Sequence, residues 1–267
     1  MKIYKIIVIY NNFIKSISIR NIDNIVFVDN STDKSIKKSN NLYANESFNK
    51  FVYIDMQGNK GISRAYNKAI EIIKPRNDDY ILILDQDTDF DSNIFNKYIA
   101  YIESNPSVDI ICPIVKDSEG IMSPSLSNGV YNYHIQSVND VKDDKINEYS
   151  FINSGMCIKG SVFSKLKYDE TLFLDFVDHD FVKQIKENNF IIGFCFDVVL
   201  NQNFSGVTKN TFEQDFNRFK IFIKDAKVYY NKYFPKQNYK IILFKRTLKL
   251  TFIHRKLSFF TELIKLK

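Results

Sequence analysis

The sequence of 267 residues has no tryptophan, three histidines and three cysteines. The cysteines are Cys112, Cys157 and Cys195, an odd number of residues that are widely separated and surrounded by apolar side chains. Cysteines of this kind are typical of reduced thiols in a protein core rather than of disulfides or a zinc cluster. The sequence therefore indicates no cysteine chemistry.

Long apolar runs are also absent. No stretch approaches the ~20 residues that a membrane-spanning helix needs, and the run at 6–10 is too short for a signal peptide. We therefore expect a cytoplasmic protein. Apolar residues make up 45% of the chain and aromatic residues 15%, which is sufficient for one large domain or for a domain with an appendage.

Two phosphate-binding motifs are missing. There is no Gly-x-Gly-x-x-Gly and no Gly-Lys-Ser/Thr, so neither a dinucleotide-binding fold nor a P-loop is supported. Two glycines, Gly58 and Gly61, instead precede a predicted helix, where they permit close approach of the backbone to a ligand. Lys60 and Arg64 could contact a diphosphate there, and Asn67 lies on the same helix face. The alternative is a surface helix with solvated charges.

An acidic motif follows a short apolar run. Residues 80–84 are apolar and precede Asp85 and Asp87, a pattern that predicts a fully buried strand of an α/β sheet. Ligands of such sheets bind at the carboxyl ends of the strands, and two carboxylates there suit Mg²⁺ or Mn²⁺ on substrate phosphates. The alternative is a solvated acidic turn that caps a helix predicted over residues 92–103.

The first part of the chain predicts a βαβαβ unit, with strands at 5–10, 24–29 and 51–55. Asn11 and Asp29 follow the first two strands, so they would meet at the carboxyl edge of the sheet, where a nucleotide could bind. For Asp29 the alternative is a helix cap or a turn.

A second acidic cluster places Asp175, Asp178 and Asp180 among Phe, Leu and Val. Carboxylates in such surroundings are costly unless they cap a helix, are paired or form a site. The alternative is an N-terminal cap of a helix predicted over 179–188, which accounts for one carboxylate but not comfortably for three. A strand precedes the cluster at 151–158, with Gly155 allowing a bulge or a close ligand approach. The polar segment 114–150 is typical of an extended loop or hairpin over a site.

The C-terminal residues 236–267 are strongly basic. They carry nine Lys or Arg against Glu262 and a charge of +8, so residues 1–235 carry −2. A last helix over about 239–264 has the composition of an interfacial helix, which suggests an anionic surface, either membrane lipid or nucleic acid. The alternative is a helix packed on the body of the protein.

Six segments, in this order, resemble motifs of glycosyltransferase family 2, and in particular its rhamnosyltransferase-like branch. They are Tyr10-Asn11, Asp29, Asn59-Lys60-Gly61 with Asn67, Asp85-Gln86-Asp87, Asn153-Ser154-Gly155, and the segment 173–180 around Asp178. The match covers about residues 3–206. It implies a GT-A fold, a Rossmann-like α/β architecture with a mixed, mainly parallel sheet flanked by helices, over 1–206. Residues 207–267 would form a helical basic extension that holds the enzyme peripherally at the inner face of the cell membrane.

The resemblance implies an inverting transfer of a sugar, suggested to be rhamnose, from a nucleoside diphosphate sugar to a saccharide or lipid-linked saccharide. The setting would be bacterial surface polysaccharide (O-antigen or capsule) synthesis, with Mg²⁺ or Mn²⁺ and no nucleic acid. Asp178 would be the base, and Asp180 would contact the acceptor or orient the helix. Donor contacts would come from Tyr10, Asn11, Asp29, Asn59, Lys60, Gly61, Asn67 and Asp85, metal ligands would be Asp85 and Asp87, and acceptor contacts would come from Asn153, Ser154, Gly155, Asp180 and Gln202.

Two positions depart from the family pattern. Lys183 and Gln184 stand where an Arg is common after the base, and Gln202 and Asn203 stand where a His is common in the late loop. Two rival interpretations are a sugar nucleotidyltransferase and a membrane- or nucleic-acid-binding module that uses the basic tail. The first lacks support because the chain has no Gly-rich N-terminal loop that bears Arg and Lys.

Overall fold

Apolar runs rich in Ile and Val form the parallel half of a mixed sheet. The computed structural model describes residues 1–17, 22–87, 93–117, 120–127, 132–201 and 210–265. The parallel strands are β1 (Ile3–Ile9), β2 (Ile25–Asp29), β3 (Phe51–Asp55) and β4 (Tyr80–Asp85), in the order β3-β2-β1-β4. All of β2 and the five residues 80–84 of β4 are buried. Both faces of these strands are therefore covered, as the continuous apolar pattern predicted.

The second half of the sheet is largely antiparallel. Its strands are β5 (Ile110–Asp117), β6 (Gly120–Ser127), β7 (Asn132–Ile135), β8 (Tyr149–Ser150), β9 (Cys157–Lys159) and β10 (Ile192–Asn201). Strand β9 lies antiparallel between β4 and β5, and β10 pairs parallel with β5. Strands β6, β7 and β8 pair antiparallel beyond β5. Segment 114–150, predicted to be an extended loop or a hairpin, contains the end of β5 and the strands β6, β7 and β8.

Helices cover the two faces of the sheet. They are α1 (Lys34–Ser47), α2 (Ile62–Ile73), α3 (Ile94–Ser104), α4 (Val177–Glu187), α5 (Phe212–Tyr233), α6 (Lys240–His254) and α7 (Ser258–Ile264). The predicted α/β architecture is thus confirmed. Two predicted elements were wrong. The helix predicted over 239–264 is two helices, because Arg255 adopts a left-handed conformation with φ of 53° and ends α6. The strand predicted at 151–158 is a loop over 151–156 between the short strands β8 and β9, because the chain turns at Gly155, which has a φ of 75°.

The C-terminal helices pack on the sheet. One hydrophobic cluster contains Ile6 of β1 and Ile83 of β4 together with Phe219 of α5, Leu243 of α6 and Phe259 of α7. All five side chains are buried. The sheet and these helices therefore share one core, and the predicted boundary at residue 206 does not separate two cores.

Two expectations from composition concern the cysteines and membrane-spanning helices. All three cysteines are buried free thiols, which confirms the prediction of core thiols. Within the described ranges, no helix combines the length and the apolar character needed to cross a membrane.

Candidate active site

A cavity of about 720 Å³ opens at the carboxyl edge of the parallel strands. Strands β1 and β4 end there, and the first turns of α2 and α4 and one face of α5 complete the walls. Eight of the predicted site residues line it: Tyr10, Asn59, Gly61, Asp85, Asp87, Asn153, Ser154 and Asp178. Segments that are far apart in the sequence therefore meet at one site.

Asp85 and Asp87 lie where β4 leaves the sheet. Asp85 is the last residue of the strand, is paired in register with Val8 of β1 and is half-buried, whereas Asp87 is exposed. In the described part of the chain, no group of three or more His, Cys, Asp or Glu side chains could hold a metal ion. Two carboxylates fit Mg²⁺ or Mn²⁺, which commonly keep water and substrate phosphate oxygens as their other ligands. Residues 88–92, which follow the motif, lie outside the described residues.

Asp178 lies in the first turn of α4 and faces the same cavity. Its Oδ1 accepts a hydrogen bond of 2.7 Å from the side-chain amide of Asn153. Burial, followed by the negative charge of Asp85, raises the pKa of Asp178 to about 7, while Asn153 and Arg218 act in the opposite direction. A carboxylate with a pKa near neutral is suited to general-base catalysis.

The Asn153 amide is itself oriented by the core. Its Oδ1 accepts a hydrogen bond of 3.3 Å from the hydroxyl of Tyr168. The ring of Tyr168 stacks on Phe181 of α4, with 4.1 Å between the ring centroids. The amide group can therefore present its N–H to Asp178 in a fixed orientation, which is a favourable arrangement for holding a catalytic group.

Asp225 of α5 holds the backbone that leads into α4. Its buried carboxylate accepts hydrogen bonds from the backbone N–H groups of Phe173, Leu174 and Asp175, at 3.0, 2.8 and 2.8 Å. Burial raises the pKa of Asp225, and these three hydrogen bonds oppose the shift. The next residue, Phe176, has a positive φ of 64°. A side chain 47 residues further along the chain thus shapes the turn in front of Asp178.

Helix α5 supplies part of the cavity wall, and this role was not predicted from the sequence. Gln214, Asn217, Arg218 and Ile221 line the cavity at helical spacing. Arg218 donates a hydrogen bond of 2.9 Å to Asp175 Oδ1, and among the described lining residues it is the single Lys or Arg. The sequence signal for this face of α5 is the spacing of its residues by three and four positions. This spacing does not distinguish a helix face that lines a cavity from one that packs on a core.

Asn30 was also missed, although it follows Asp29 directly. Its amide nitrogen lies 3.1 Å from Asn59 Oδ1, and its Oδ1 accepts a hydrogen bond of 2.8 Å from the backbone N–H of Lys60. Gly61 next to it has a φ of 88°, and a Cβ there would lie 2.8 Å from the backbone oxygen of Phe173. Asn30 thus fixes the glycine turn, and Gly61 in that turn packs against the segment before α4.

Asp29 and Asn11 do not line the cavity. Asp29 is fully buried, and its carboxylate accepts hydrogen bonds from Ser31 N, Asn40 Nδ2 and Tyr53 Oη at 2.9, 3.0 and 2.6 Å. Asn11 adopts a positive φ of 46°, and its side-chain oxygen accepts a hydrogen bond from the Thr32 backbone at 2.9 Å. Both residues shape the loops at this edge, and their contact with a nucleobase stays a prediction.

Three other predicted contacts lie outside the cavity lining. Lys60 is exposed. The Asn67 side chain exchanges two hydrogen bonds with the backbone of Tyr168, at 2.9 and 3.0 Å. Gly155 is tightly packed, since a Cβ there would lie 2.4 Å from Leu200 Cδ1 and 2.6 Å from Pro113 Cγ. Asn67 and Gly155 therefore support the walls of the cavity from behind.

Asp180 is 1% exposed and also lies away from the cavity. Its carboxylate accepts hydrogen bonds from Gln184 Nε2, Lys232 Nζ and Tyr233 Oη, at 2.6, 2.7 and 2.8 Å. Of its two predicted roles, these contacts favour orienting α4, because they join that helix to α5. Gln202, predicted to contact the acceptor, lies outside the described residues.

Known proteins resemble this chain in sequence. The family model described as Glycosyl transferase family 2 matches residues 6–167. The uncharacterized glycosyltransferase MJ1057 of Methanocaldococcus jannaschii is 26% identical over 159 residues, which are 59% of this chain and 51% of that protein. The chain thus spans about half the length of this curated relative.

Solved structures share the fold at low identity. The mannosyltransferase PcManGT from Pyrobaculum calidifontis, in complex with GDP-Man and Mn²⁺, has a TM-score of 0.57 at 12% identity, over 85% of this chain and 63% of that one. GalNAc-T7 with UDP, GalNAc and Mn²⁺ has a TM-score of 0.55 at 13% identity, over 85% and 48%. TarS 1–349 of S. aureus in complex with UDP has a TM-score of 0.52 at 15% identity, over 85% and 65%.

These structures confirm the predicted GT-A fold, and the family match covers the strands and loops that carry the carboxylates of β4. The chain belongs to glycosyl transferase family 2.

Proposed function

We propose that the protein is an inverting, metal-dependent glycosyltransferase that uses a nucleoside diphosphate sugar as donor. The observation that carries this proposal is that Asp178, with a pKa near 7, lines the same cavity as Asp85 and Asp87. One wall thus offers carboxylates for a metal on the donor diphosphate, and another offers a base for the acceptor. The UDP, GDP-Man and Mn²⁺ named with the similar structures are compatible with such a donor site.

In the proposed reaction Asp178 removes the proton of an acceptor hydroxyl as its oxygen bonds to the anomeric carbon of the sugar. The bond from that carbon to the diphosphate breaks on the opposite side, so the configuration inverts. Asn153 holds Oδ1 of Asp178, which leaves Oδ2 for the hydroxyl proton. Asp85 and Asp87 would hold the divalent cation, whose charge stabilises the leaving diphosphate when it is bound.

The acceptor we propose is a saccharide or lipid-linked saccharide of bacterial surface polysaccharide synthesis. The transferred sugar would be rhamnose. The support for this sugar is the resemblance of the motifs around Asp85 to the rhamnosyltransferase-like branch.

Calorimetric titration with UDP, dTDP and GDP, each with and without Mn²⁺, tests the donor site. We expect one nucleotide to bind in a Mn²⁺-dependent manner, and the Asp85→Asn/Asp87→Asn variant to lose that binding. The matched control is Glu46→Gln/Glu103→Gln, which neutralises two exposed carboxylates away from the cavity. Absence of nucleotide binding, or binding that the Asp85→Asn/Asp87→Asn variant retains, would contradict the proposal.

We further propose that α6 and α7 hold the enzyme peripherally at the inner face of the cell membrane. Helix α6 packs on the core through Leu243, Thr247 and Leu250, and its other side exposes a row of apolar side chains. This apolar row consists of Ile241, Phe244, Leu248 and Phe252, with exposed fractions of 54, 47, 46 and 86%. Leu257 and Ile264, which follow α6 in the chain, are also exposed, at 72 and 64%.

Charge supports an anionic lipid surface as the partner of this row, because residues 236–267 carry +8. Exposed apolar side chains among Lys and Arg are typical of helices that lie in the headgroup region. Each basic residue near an anionic leaflet contributes about 1 kcal/mol of attraction. Such a location would bring the enzyme to lipid-linked acceptors.

Co-sedimentation with vesicles tests the membrane proposal. We expect binding to vesicles that contain phosphatidylglycerol, weaker binding at high salt, and loss of binding in Phe252→Ser/Leu257→Ser. The control Leu42→Ser/Ile72→Ser removes exposed apolar side chains of α1 and α2 and should bind normally. Equal binding of both variants would overturn the proposal. Point substitutions are preferable to deletion of 236–267, because deletion would remove the buried Leu243 and Phe259.

A further inference from the structure

A second, smaller cavity of about 160 Å³ lies beside the first turns of α4. His179, Lys183 and Lys186 line it from one face of that helix, at intervals of four and three residues. Asn132 of β7 and Ser150 of β8 face it from the sheet, and Tyr229 faces it from α5. Its volume is below the ~300–1,000 Å³ of pockets for drug-sized ligands, so it suits a small group rather than a nucleotide.

The cavity is positively charged. Its described lining includes two lysines and no Asp or Glu. The Lys186 ammonium donates to the backbone oxygens of Asn147, at 3.1 Å, and Tyr149. The Lys183 ammonium lies 5.0 and 4.8 Å from the ring centroids of Tyr233 and Phe234. Within the described ranges, neither lysine has a carboxylate partner. A positive charge without an acidic partner in a half-enclosed cavity favours an anion.

The other polar groups of the cavity are suited to the same ligand. His179 Nδ1 lies 2.9 Å from the hydroxyl of Ser150, and Asn132 Nδ2 lies 3.5 Å from Nε2. Burial lowers the pKa of His179 to about 4, so the ring is neutral at pH 7. Burial, followed by the charge of Lys183, lowers the pKa of Lys186 to about 8. Lys186 thus stays mostly protonated at pH 7, and a bound anion would stabilise this charged form.

We propose that this cavity is a second binding site, which takes a phosphate or carboxylate group carried by the acceptor saccharide. The identification of the acceptor rests on the glycosyltransferase function proposed above. His179, in the first turn of α4, lines this cavity, and Asp178, which precedes it directly, lines the larger one. Both cavities therefore border the first turn of α4, and the two lysines lie in its later turns. The aromatic rings of Phe176, Tyr229 and Tyr230 together with hydroxyl and amide groups give the lining a mixed character that suits a sugar bearing an acidic group.

Calorimetric titration with inorganic phosphate at constant ionic strength tests the site without a substrate. We expect saturable binding, at least ten-fold weaker in Lys183→Met/Lys186→Met. The matched control is Lys34→Met/Lys38→Met, which removes two exposed lysines of α1 and should bind as the unaltered protein does. Equal binding by the two variants would overturn the proposal.

A second measurement guards against misfolding, because Lys186 also bonds to two backbone oxygens. Lys183→Met alone keeps those bonds and should still weaken phosphate binding. Nuclear magnetic resonance of the three histidine rings should show that phosphate shifts the His179 signals and leaves those of His134 and His254 unchanged. Phosphate binding that leaves His179 unshifted would overturn the proposal.

Glucose 6-phosphate, glucuronate and glucose distinguish an acceptor-borne group from a free anion. The proposal expects both acidic sugars to bind more tightly than inorganic phosphate and than neutral glucose, in a manner that depends on Lys183 and Lys186. Affinities no higher than that of phosphate would overturn the assignment to the acceptor. The nucleotide titration separates the two proposals. If the unaltered protein binds no nucleotide, the transferase function is contradicted, whereas if it shows no lysine-dependent anion binding, this site alone is contradicted.

Discussion

The side-chain amide of Asn153 donates a hydrogen bond of 2.7 Å to Asp178 Oδ1, which joins the loop between β8 and β9 to the first turn of α4. This bond stabilises the charged form of a carboxylate whose pKa is otherwise raised by burial and by Asp85. The proposed base thus combines a raised pKa with a fixed orientation, and this combination can be tested by substitution.

Asp178→Asn should lower kcat by about 10²- to 10⁴-fold, the contribution typical of a positioned base. Nucleotide binding should change little, because the amide keeps the shape of the side chain. In the unaltered enzyme, activity should rise with pH through about 7 and then level off, since the base acts in its deprotonated form. Turnover across pH 5–9 and nucleotide calorimetry measure both effects, and loss of nucleotide binding would contradict the role of base.

Asp178→Asn should also change how stability depends on pH. The folded protein holds a proton on Asp178 up to a pH of about 7, whereas the ordinary value is 3.8. The stability from this protonation is present below about pH 4 and is lost as pH rises through 7. The variant should therefore gain stability relative to the unaltered protein between pH 5 and pH 8. Thermal unfolding of both proteins at pH 5 and pH 8 measures this gain. The same difference in stability between variant and unaltered protein at both pH values would contradict it.

Asn153→Ala should shift the rise of activity to higher pH. The reason is that the charged form of Asp178 loses a hydrogen-bond donor, which raises the pKa of Asp178. A bond of this kind corresponds to about one pH unit. Tyr168→Phe is a milder variant for comparison, because it removes the hydroxyl that orients Asn153 and keeps the stacked ring. The rise of activity should therefore shift to higher pH by a smaller amount. A uniform loss of activity at every pH would indicate a merely structural role.

Asp225→Ala should destabilise the protein by on the order of 3 kcal/mol. It leaves the backbone N–H groups of Phe173, Leu174 and Asp175 without their acceptor, and each unsatisfied buried donor costs about 1–3 kcal/mol. The cost of burying the carboxylate offsets part of the loss. Urea unfolding measures the effect. Asp23→Ala, which removes an exposed ion pair with Lys50, is the control and should cost less than about 1 kcal/mol.

Gly61→Ala should destabilise the protein and weaken nucleotide binding. A Cβ would lie 2.8 Å from the backbone oxygen of Phe173, so the segment before α4 must shift. Gly58→Ala is the matched control, since Gly58 also has a positive φ, at 111°, but has no atom within 4 Å of its Cβ position. Both variants pay about 1 kcal/mol for the left-handed backbone, and only Gly61→Ala should affect the binding of nucleotide. Equal effects on nucleotide binding would contradict this role for Gly61.

Much of the parallel half of the sheet was predictable, because its signals are local. Five consecutive apolar residues before Asp85 indicated a strand buried on both faces, and strand ends in a parallel sheet meet at one edge. The helix predicted over 179–188 likewise corresponds to α4. The second acidic cluster was not resolved by sequence alone: Asp178 faces the cavity, whereas Asp180 is buried against Lys232 and Tyr233.

The C-terminal region was harder to predict, because amphipathic helices have the same pattern whether they bind lipid or pack on a core. Helix α6 packs on the body of the protein through Leu243 and Leu250, as one of the two alternatives predicted, and Phe252 is exposed. The contact of α6 with a membrane stays a prediction. The contribution of α5 to the cavity, through residues such as Asn217 and Arg218, depends on how that helix crosses the sheet. No local pattern encodes this crossing.

By itself, the sequence determined the strands of the parallel half of the sheet, the glycine turn at Gly61 and the places of the two acidic segments around Asp85 and Asp178, because strand burial and turn conformation follow from neighbouring residues. Only the tertiary structure decided which carboxylate faces the cavity, that Asp225 holds the backbone before it, and that Lys183 and Lys186 meet in a cavity lined by β7 and β8. These outcomes depend on packing between segments far apart in the chain, which brings together side chains that no short stretch of sequence relates.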